Sequence, residues 1–246
     1  MIDRFDKALP LLATLILAVV WTVPFTPDHA WGWDESMHVG LPGVRIAEHL
    51  RSGSIQGAFG VLFADCQRYP FVAPLGQAAL HLAGVGEVGS RLAMRVLYAL
   101  TCLGLFSTAR EAAARLQLSA PRQRIAAFCA LAFGLLSPLG LAFAGTLFLV
   151  VPALFFAVFT LRAKLRSCDP EAKDPGRRDL AFGLWLTALF FTKWNYGLLF
   201  LGAFVLDAVL GRFHAERRPL ARVLRSFAPL TLALLWWFVL PLPGGL

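Results

Sequence analysis

The densest group of chemically capable side chains lies in the stretch WGWDESMHVG, from Trp31 to Gly40. Asp34 and Glu35 are adjacent carboxylates, and His38 follows four residues after Asp34. A carboxylate in surroundings of low dielectric constant has a raised proton affinity and can act as a general base. The stretch therefore predicts proton transfer, with Asp34 and Glu35 as candidate catalytic residues and His38 as a candidate substrate-binding residue.

Two simpler explanations apply to the same residues. An acidic pair that follows an apolar span can be no more than a polar cap on that span. A single histidine is more often a packed or surface residue than a ligand. Taken one at a time, these residues do not identify a site.

Further candidates for substrate binding occur later in the chain. They are Tyr69 and Pro70 in CQRYPFVAPLG, Arg91 in GSRLAMRVLYAL, and Lys193 and Asn195 in TKWNYG. Lysine and arginine side chains hold phosphate oxygens, although a lone lysine near the end of a span also reaches the membrane interface by snorkelling. If all these residues meet the acidic pair at one membrane face, they suit chemistry on a lipid-linked phosphate.

The elements that must position these residues are expected to be membrane helices. The chain is 58% hydrophobic and 15% charged, whereas a soluble domain is about 45–50% apolar and about 25% charged. The mean hydropathy is +0.65, and several apolar runs approach the roughly 20 residues that cross a bilayer. An all-α polytopic membrane protein is predicted.

The net charge of +8 is distributed in short clusters between the apolar runs. This is typical of cytoplasmic membrane loops and not of a nucleic-acid-binding protein. The clusters lie at residues 4–7, 110–124, 162–178 and 212–225. If all four are cytoplasmic, an even number of crossings must separate neighbouring clusters.

This condition predicts a single membrane module, residues 1–246, with seven spans, a cytoplasmic N-terminus and an external C-terminus. The predicted spans are about 8–27, 89–109, 125–141, 146–162, 179–193, 196–211 and 226–242. Residues 28–88 form an external loop, in which 71–86 is an interfacial helix. An amphipathic helix near residue 47 is expected to place Val44, Ala47 and Leu50 on one side.

The order of these motifs resembles that of the polyprenyl-phosphate-dependent membrane glycosyltransferases of the GT-C superfamily, in particular the protein mannosyltransferase and aminoarabinose transferase branch. The matching pieces are WDESMH after the first span, RYPFVAPLG before an interfacial helix, GSRLAMRVLYAL at the second span and TKWNYG after the fifth. The resemblance covers about residues 8–240. It corresponds to the N-terminal module of a family whose members usually continue through further spans.

The resemblance implies a reaction at the outer face of the cytoplasmic membrane. Asp34 is the expected base that deprotonates an acceptor hydroxyl, which attacks the anomeric carbon of a polyprenyl-phosphate-linked sugar with inversion. Glu35 is expected to orient the acceptor, or to bind a divalent metal where one is used. The acceptor is a glycan, a lipid or a protein.

The resemblance also assigns roles to the donor side. Tyr69 and Pro70 match the segment that shapes the entrance for the lipid phosphate. Lys193 matches a lysine that contacts the phosphate, and Arg91 is a weaker candidate for the same anion. The family often carries a further acidic residue in the region that reads AGTLFLVVPAL here, residues 144–154, and this chain has no acid there.

Two other functions remain open. The first is a non-catalytic membrane scaffold or subunit that retains the glycosyltransferase module. The second is a transporter or channel, which would need polar residues along a pathway in the membrane. The predicted spans 8–27, 125–141 and 226–242 contain no charged residue, so the second function is disfavoured.

Overall fold

The computed structural model describes residues 15–16, 39–65, 70–144, 149–169, 173–210 and 219–239. Throughout these residues the regular structure is helical, which confirms the predicted all-α class for this part of the chain. The helices are α1 (Leu41–Arg51), α2 (Ile55–Gly60, continued by a π-helical turn Val61–Asp65), α3 (Val72–Leu82), α4 (Glu87–Arg115), α5 (Ala120–Leu135), α6 (Pro138–Ala144), α7 (Val150–Ser167), α8 (Pro175–Phe190), α9 (Trp194–Leu210) and α10 (Pro219–Val239).

Two helices in the described part of the chain are long and apolar enough to cross a membrane. They are α4, with 29 residues, and the Leu220–Val239 part of α10. They coincide with the predicted spans 89–109 and 226–242. The Trp194–Asp207 part of α9 is apolar but shorter. The predicted span 8–27 lies outside the described residues except for Leu15 and Ile16, which are helical.

The predicted span 125–141 is interrupted. Helix α5 ends at Leu135 and the short helix α6 begins at Pro138. A proline lacks the N–H group that continues a helix, and it disfavours the helical conformation of the residue before it. One break therefore falls before Pro138, and α6 itself ends at Ala144, within the predicted division near residues 140–145.

The amphipathic helix is present as α1, and the predicted apolar side matches its buried side only in part, since Ala47 is buried and Val44 is partly buried. Gly43, Ile46 and Ala47 are buried, whereas Leu50 is exposed. The reason is the partner helix α3, which approaches so closely that a Cβ on Gly43 would lie 2.6 Å from the Cβ of Gln77. The buried side of α1 is therefore the side that carries glycine.

Ion pairs show which helix ends lie together. The Nε of Arg166, at the end of α7, lies 3.1 Å from Glu111 near the end of α4. The Nζ of Lys164 lies 3.1 Å from Asp207 near the end of α9. The ends of α4, α7 and α9 therefore meet, and we call this the basic end of the bundle. The short turn between α8 and α9, at residues 191–193, lies at the opposite end, which we call the turn end.

A buried carboxylate adds two further helix termini to the basic end. Asp179, near the start of α8, is fully buried and lies 3.4 Å from the Nε of Arg222 in α10. The Nη2 of Arg225 lies 3.2 Å from the other oxygen of Asp179. Arg222 also donates a hydrogen bond to the backbone oxygen of Ser167, the last residue of α7. The starts of α8 and α10 are thereby held against the end of α7.

Candidate functional site

The predicted site residues divide into two groups. Asp34, Glu35, His38 and Tyr69 lie outside the described residues. Pro70, Arg91, Lys193 and Asn195 are described. The Pro70 segment meets the α8–α9 turn at the turn end, and Arg91 is linked to that segment through α3. The described residues are therefore mainly those predicted to bind the lipid-phosphate donor.

A backbone hydrogen bond joins one predicted motif, RYPFVAPLG, to the residue directly before another, TKWNYG. The N–H of Val72, two residues after the buried Pro70, donates to the carbonyl oxygen of Phe191 over 3.0 Å. The ring centroids of Phe71 and Phe191 are 4.7 Å apart. The RYPFVAPLG segment and the TKWNYG turn are far apart in the sequence, but here they lie side by side.

The α8–α9 turn has local reasons to form where it does. Helix α8 closes with the Lys193 N–H donating to the oxygen of Leu189 over 3.0 Å. The Thr192 hydroxyl donates to the oxygen of Ala188 over 2.6 Å. The next helix starts at once, because the Gly197 N–H donates to the oxygen of Lys193 over 3.0 Å. Lys193 is thus held at the corner between two helices.

The two polar side chains of this turn have different surroundings. Lys193 is partly buried, and its Nζ lies 5.2 Å from the ring centroid of Tyr196, a cation–π arrangement. Asn195 is exposed, and its side-chain oxygen accepts the Tyr196 N–H over 3.1 Å. The lysine charge therefore lies against an aromatic ring.

Arg91 lies at the start of α4 and is only 3% exposed. Its Nε and Nη2 atoms donate to the same oxygen of Glu87, over 3.0 Å and 2.8 Å. A carboxylate partner already offsets its charge, so the structure gives Arg91 a role in stabilising the first turn of α4. Its predicted contact with a phosphate stays a prediction.

Helix α3 connects the α8–α9 turn to the start of α4. Val72 at its first turn contacts Phe191, and Gln77 donates a hydrogen bond from Nε2 to the hydroxyl of Ser90 over 2.7 Å. Five residues of α-helix rise about 7.5 Å. The Lys193 turn and the Ser90–Arg91 segment are therefore anchored to the same short helix.

Aromatic rings pack behind the Pro70 segment. Phe71 lies with its ring centroid 4.7 Å from that of Trp237, and Phe63 lies 4.6 Å from the same ring. Trp236 meets Phe71 edge to face at 5.8 Å. Sequence reasoning missed this contribution of α10, although the adjacent tryptophans near the end of the last apolar run were a usable signal. These rings hold segment 70–72 in place against the α8–α9 turn.

Two buried polar atoms at the turn end have no hydrogen-bond partner within the described part of the chain. They are the side-chain oxygen of Gln77 and the indole nitrogen of Trp194. A buried polar atom without a partner costs about 1–3 kcal/mol.

The predicted divalent metal would rely on Glu35, which is not among the described residues. Within the described ranges, no group of three or more His, Cys, Asp and Glu side chains is placed to hold a metal ion.

No family model, curated protein or solved structure matches this chain.

Proposed function

We propose that this protein transfers a sugar from a polyprenyl-phosphate-linked donor to an acceptor hydroxyl at the outer face of the cytoplasmic membrane. The observation that carries the proposal is the contact between segment 70–72 and the α8–α9 turn, where Val72 donates to Phe191. It brings together two of the four motifs on which the resemblance rests. Neither motif has a local reason to lie beside the other.

The surroundings of Lys193 support a role in binding the donor phosphate. The charge is partly buried and lies against the ring of Tyr196. A cation that is partly removed from water interacts more strongly with an anion than one in bulk solvent does. Lys193 is therefore the residue of the turn end that we assign to the phosphate.

In the proposed reaction Asp34 takes the proton from the acceptor hydroxyl. The acceptor oxygen forms a bond to the anomeric carbon while the bond from that carbon to the phosphate oxygen breaks. The configuration at that carbon inverts because the displacement is single. Polyprenyl phosphate leaves with the bonding electrons, and Lys193 stabilises the negative charge that develops on it. Glu35 orients the acceptor, and His38 and Asn195 contact the substrates.

The proposal includes the seven-span arrangement, with the turn end outside and the basic end in the cytoplasm. Two candidate spans support the membrane location, and the orientation is inferred from the basic helix termini that meet at one end. Both Asn195 and Lys173 are exposed, one at each end. In a variant without native cysteines, Asn195→Cys should react with an impermeant maleimide in intact cells, and Lys173→Cys only after permeabilisation. Equal labelling of both would contradict this orientation.

The reaction is tested by mass spectrometry of membrane lipids and surface glycans. The comparison includes cells that express the wild-type protein, cells that express Asp34→Asn and cells without the gene. Glu48→Gln is the matched control because Glu48 is an exposed carboxylate on α1. A sugar that is absent without the gene and with Asp34→Asn, but present with Glu48→Gln, supports the proposal.

The alternative is a scaffold or subunit that retains the module without its chemistry. It predicts that Asp34→Asn and Glu48→Gln give the wild-type glycan pattern while the inserted amount of each protein is unchanged. That result would overturn the assignment of Asp34 as the base. It would leave the membrane arrangement untouched, since the labelling experiment tests that separately.

A further inference from the structure

A cavity of about 860 Å³ lies at the basic end, between the end of α4, the last half of α7 and residues 177–185 of α8. The sequence places a cluster of positive charge at residues 162–178 but does not indicate a cavity there. Charged side chains line one part of it and aromatic side chains line another. The charged lining residues are Glu111, Arg162, Arg166, Asp169, Lys173, Asp174, Arg177 and Arg178.

The charged part carries an excess of positive charge, with five basic and three acidic side chains. The Nε atoms of Arg162 and Arg166 lie 3.5 Å and 3.1 Å from the same oxygen of Glu111, so one carboxylate serves two arginines. Lys173 and Arg177 are both exposed, and no ion pair joins either to a carboxylate of the described residues. Two cations are therefore available to an anionic ligand.

The charged residues continue into an aromatic stripe along α7. Phe159, Arg162 and Arg166 line the cavity and follow one another at spacings of three and four residues, which places them on one side of a helix. Phe155 lies four residues before Phe159 and continues this side beyond the cavity. The stripe rises about 16 Å from its basic end to its aromatic end. The α7 side of the cavity is therefore basic at the helix end and apolar towards the middle of the bundle.

The side of α8 that lines the cavity is likewise basic near the helix end and aromatic further along the helix. Arg178, Ala181 and Trp185 line the cavity, and Trp185 lies about 10 Å along the helix from Arg178. The rings of Trp185 and Phe159 stack with centroids 5.2 Å apart. Both rings are partly exposed. Two helices thus present the same sequence of surfaces, basic first and aromatic beyond.

We infer that this cavity binds an anionic phospholipid, with the phosphate head group held by Lys173 and Arg177 and an acyl chain lying along Phe159 and Trp185. Basic pockets between membrane helices on the cytoplasmic side are suited to anionic head groups. A free phosphate would use the basic part alone. The aromatic stripe beyond it favours the lipid. The inference rests on the membrane location proposed above and not on the transfer reaction.

The test is native mass spectrometry of the full chain in detergent, titrated with phosphatidylglycerol or phosphatidylcholine. In the cavity variant, Lys173→Gln and Arg177→Gln are combined. In the matched control, Arg115→Gln and Arg122→Gln are combined, because both arginines are exposed at the same end, outside the cavity. Both variants lose two positive charges.

We expect wild-type protein to bind phosphatidylglycerol in preference to phosphatidylcholine. The cavity variant should lose about 20- to 30-fold in affinity for phosphatidylglycerol, and the control should lose much less. Trp185→Leu should weaken the binding of phosphatidylglycerol and leave the binding of inorganic phosphate unchanged. A thermal unfolding midpoint for each variant separates a lost contact from a lost fold.

Three outcomes would overturn the inference. The first is an equal loss in the cavity variant and the control, which would indicate attraction by overall charge. The second is displacement of phosphatidylglycerol by inorganic phosphate at comparable concentration, which would make the ligand a soluble phosphate. The third is equal binding of the two lipids. None of these affects the glycan experiment, so failure here is distinguishable from failure of the proposed function.

Discussion

Removing the buried carboxylate of Asp179 should strongly destabilise the bundle. Asp179 faces two arginines of α10, and of these Arg222 has a side chain only 4% exposed. In Asp179→Ala the guanidinium of Arg222 keeps its bond to Ser167 but loses its counter-charge. Removing one partner of a buried ion pair lowers the free energy of unfolding by about 3–5 kcal/mol, because the other charge stays buried without compensation.

The second arginine should matter much less. The side chain of Arg225 is 47% exposed, so water replaces its contact with Asp179. An exposed pair contributes about 0–1 kcal/mol. Arg225→Ala is therefore the control that removes a partner of the same carboxylate at small cost.

The assay is thermal and denaturant unfolding of the purified protein in detergent, followed by circular dichroism. A loss of about 3–5 kcal/mol is expected for Asp179→Ala. A double variant, Asp179→Leu with Arg222→Met, should recover part of this loss because no buried charge is left alone. A loss of less than about 1 kcal/mol for Asp179→Ala would refute the argument that Asp179 and Arg222 form a buried ion pair. A double variant that is no more stable than Asp179→Ala would refute it as well.

Three further predictions concern single positions. Gly183→Ala should lower the free energy of unfolding by about 1–3 kcal/mol, since the added Cβ would lie 2.3 Å from the backbone oxygen of Ser226. Gly202→Ala is the control, because its added Cβ meets open space, and it should be neutral or stabilising in the same unfolding assay. Gln117→Gly should raise the free energy of unfolding by up to about 1 kcal/mol, because Gln117 has φ of +54°, and an unchanged or lower value would contradict this. Lys193→Ala should weaken binding of polyprenyl phosphate by about tenfold in a titration of the purified protein, and unchanged affinity would remove Lys193 from the donor site.

The sequence determined where most helices form, because that depends on neighbouring residues. The length and apolar character of residues 89–109 and 226–242 predicted long helices, and α4 and α10 are there. The helix α8 begins after Asp174, whose side chain accepts the N–H of Arg177, with a proline at the first position. Such a start can be read directly from residue types.

The candidate site was only partly predictable. Candidate residues could be chosen from their chemistry, and a common face could be expected for them. The contact of Val72 with Phe191 could not be derived from either segment. Asp34 and Glu35 lie outside the described residues, so their roles still depend on the resemblance.

Tertiary structure decided how the helices face one another. Helical periodicity predicts that one side of α1 is apolar, but the neighbouring helix decides which side is buried, and Gly43 allowed α3 to approach there. The same holds for the cavity at the basic end, where Arg166 and Trp185 belong to different helices. Periodicity along one helix is a local property, whereas a contact between helices depends on their crossing and register, which arise only when the whole bundle packs.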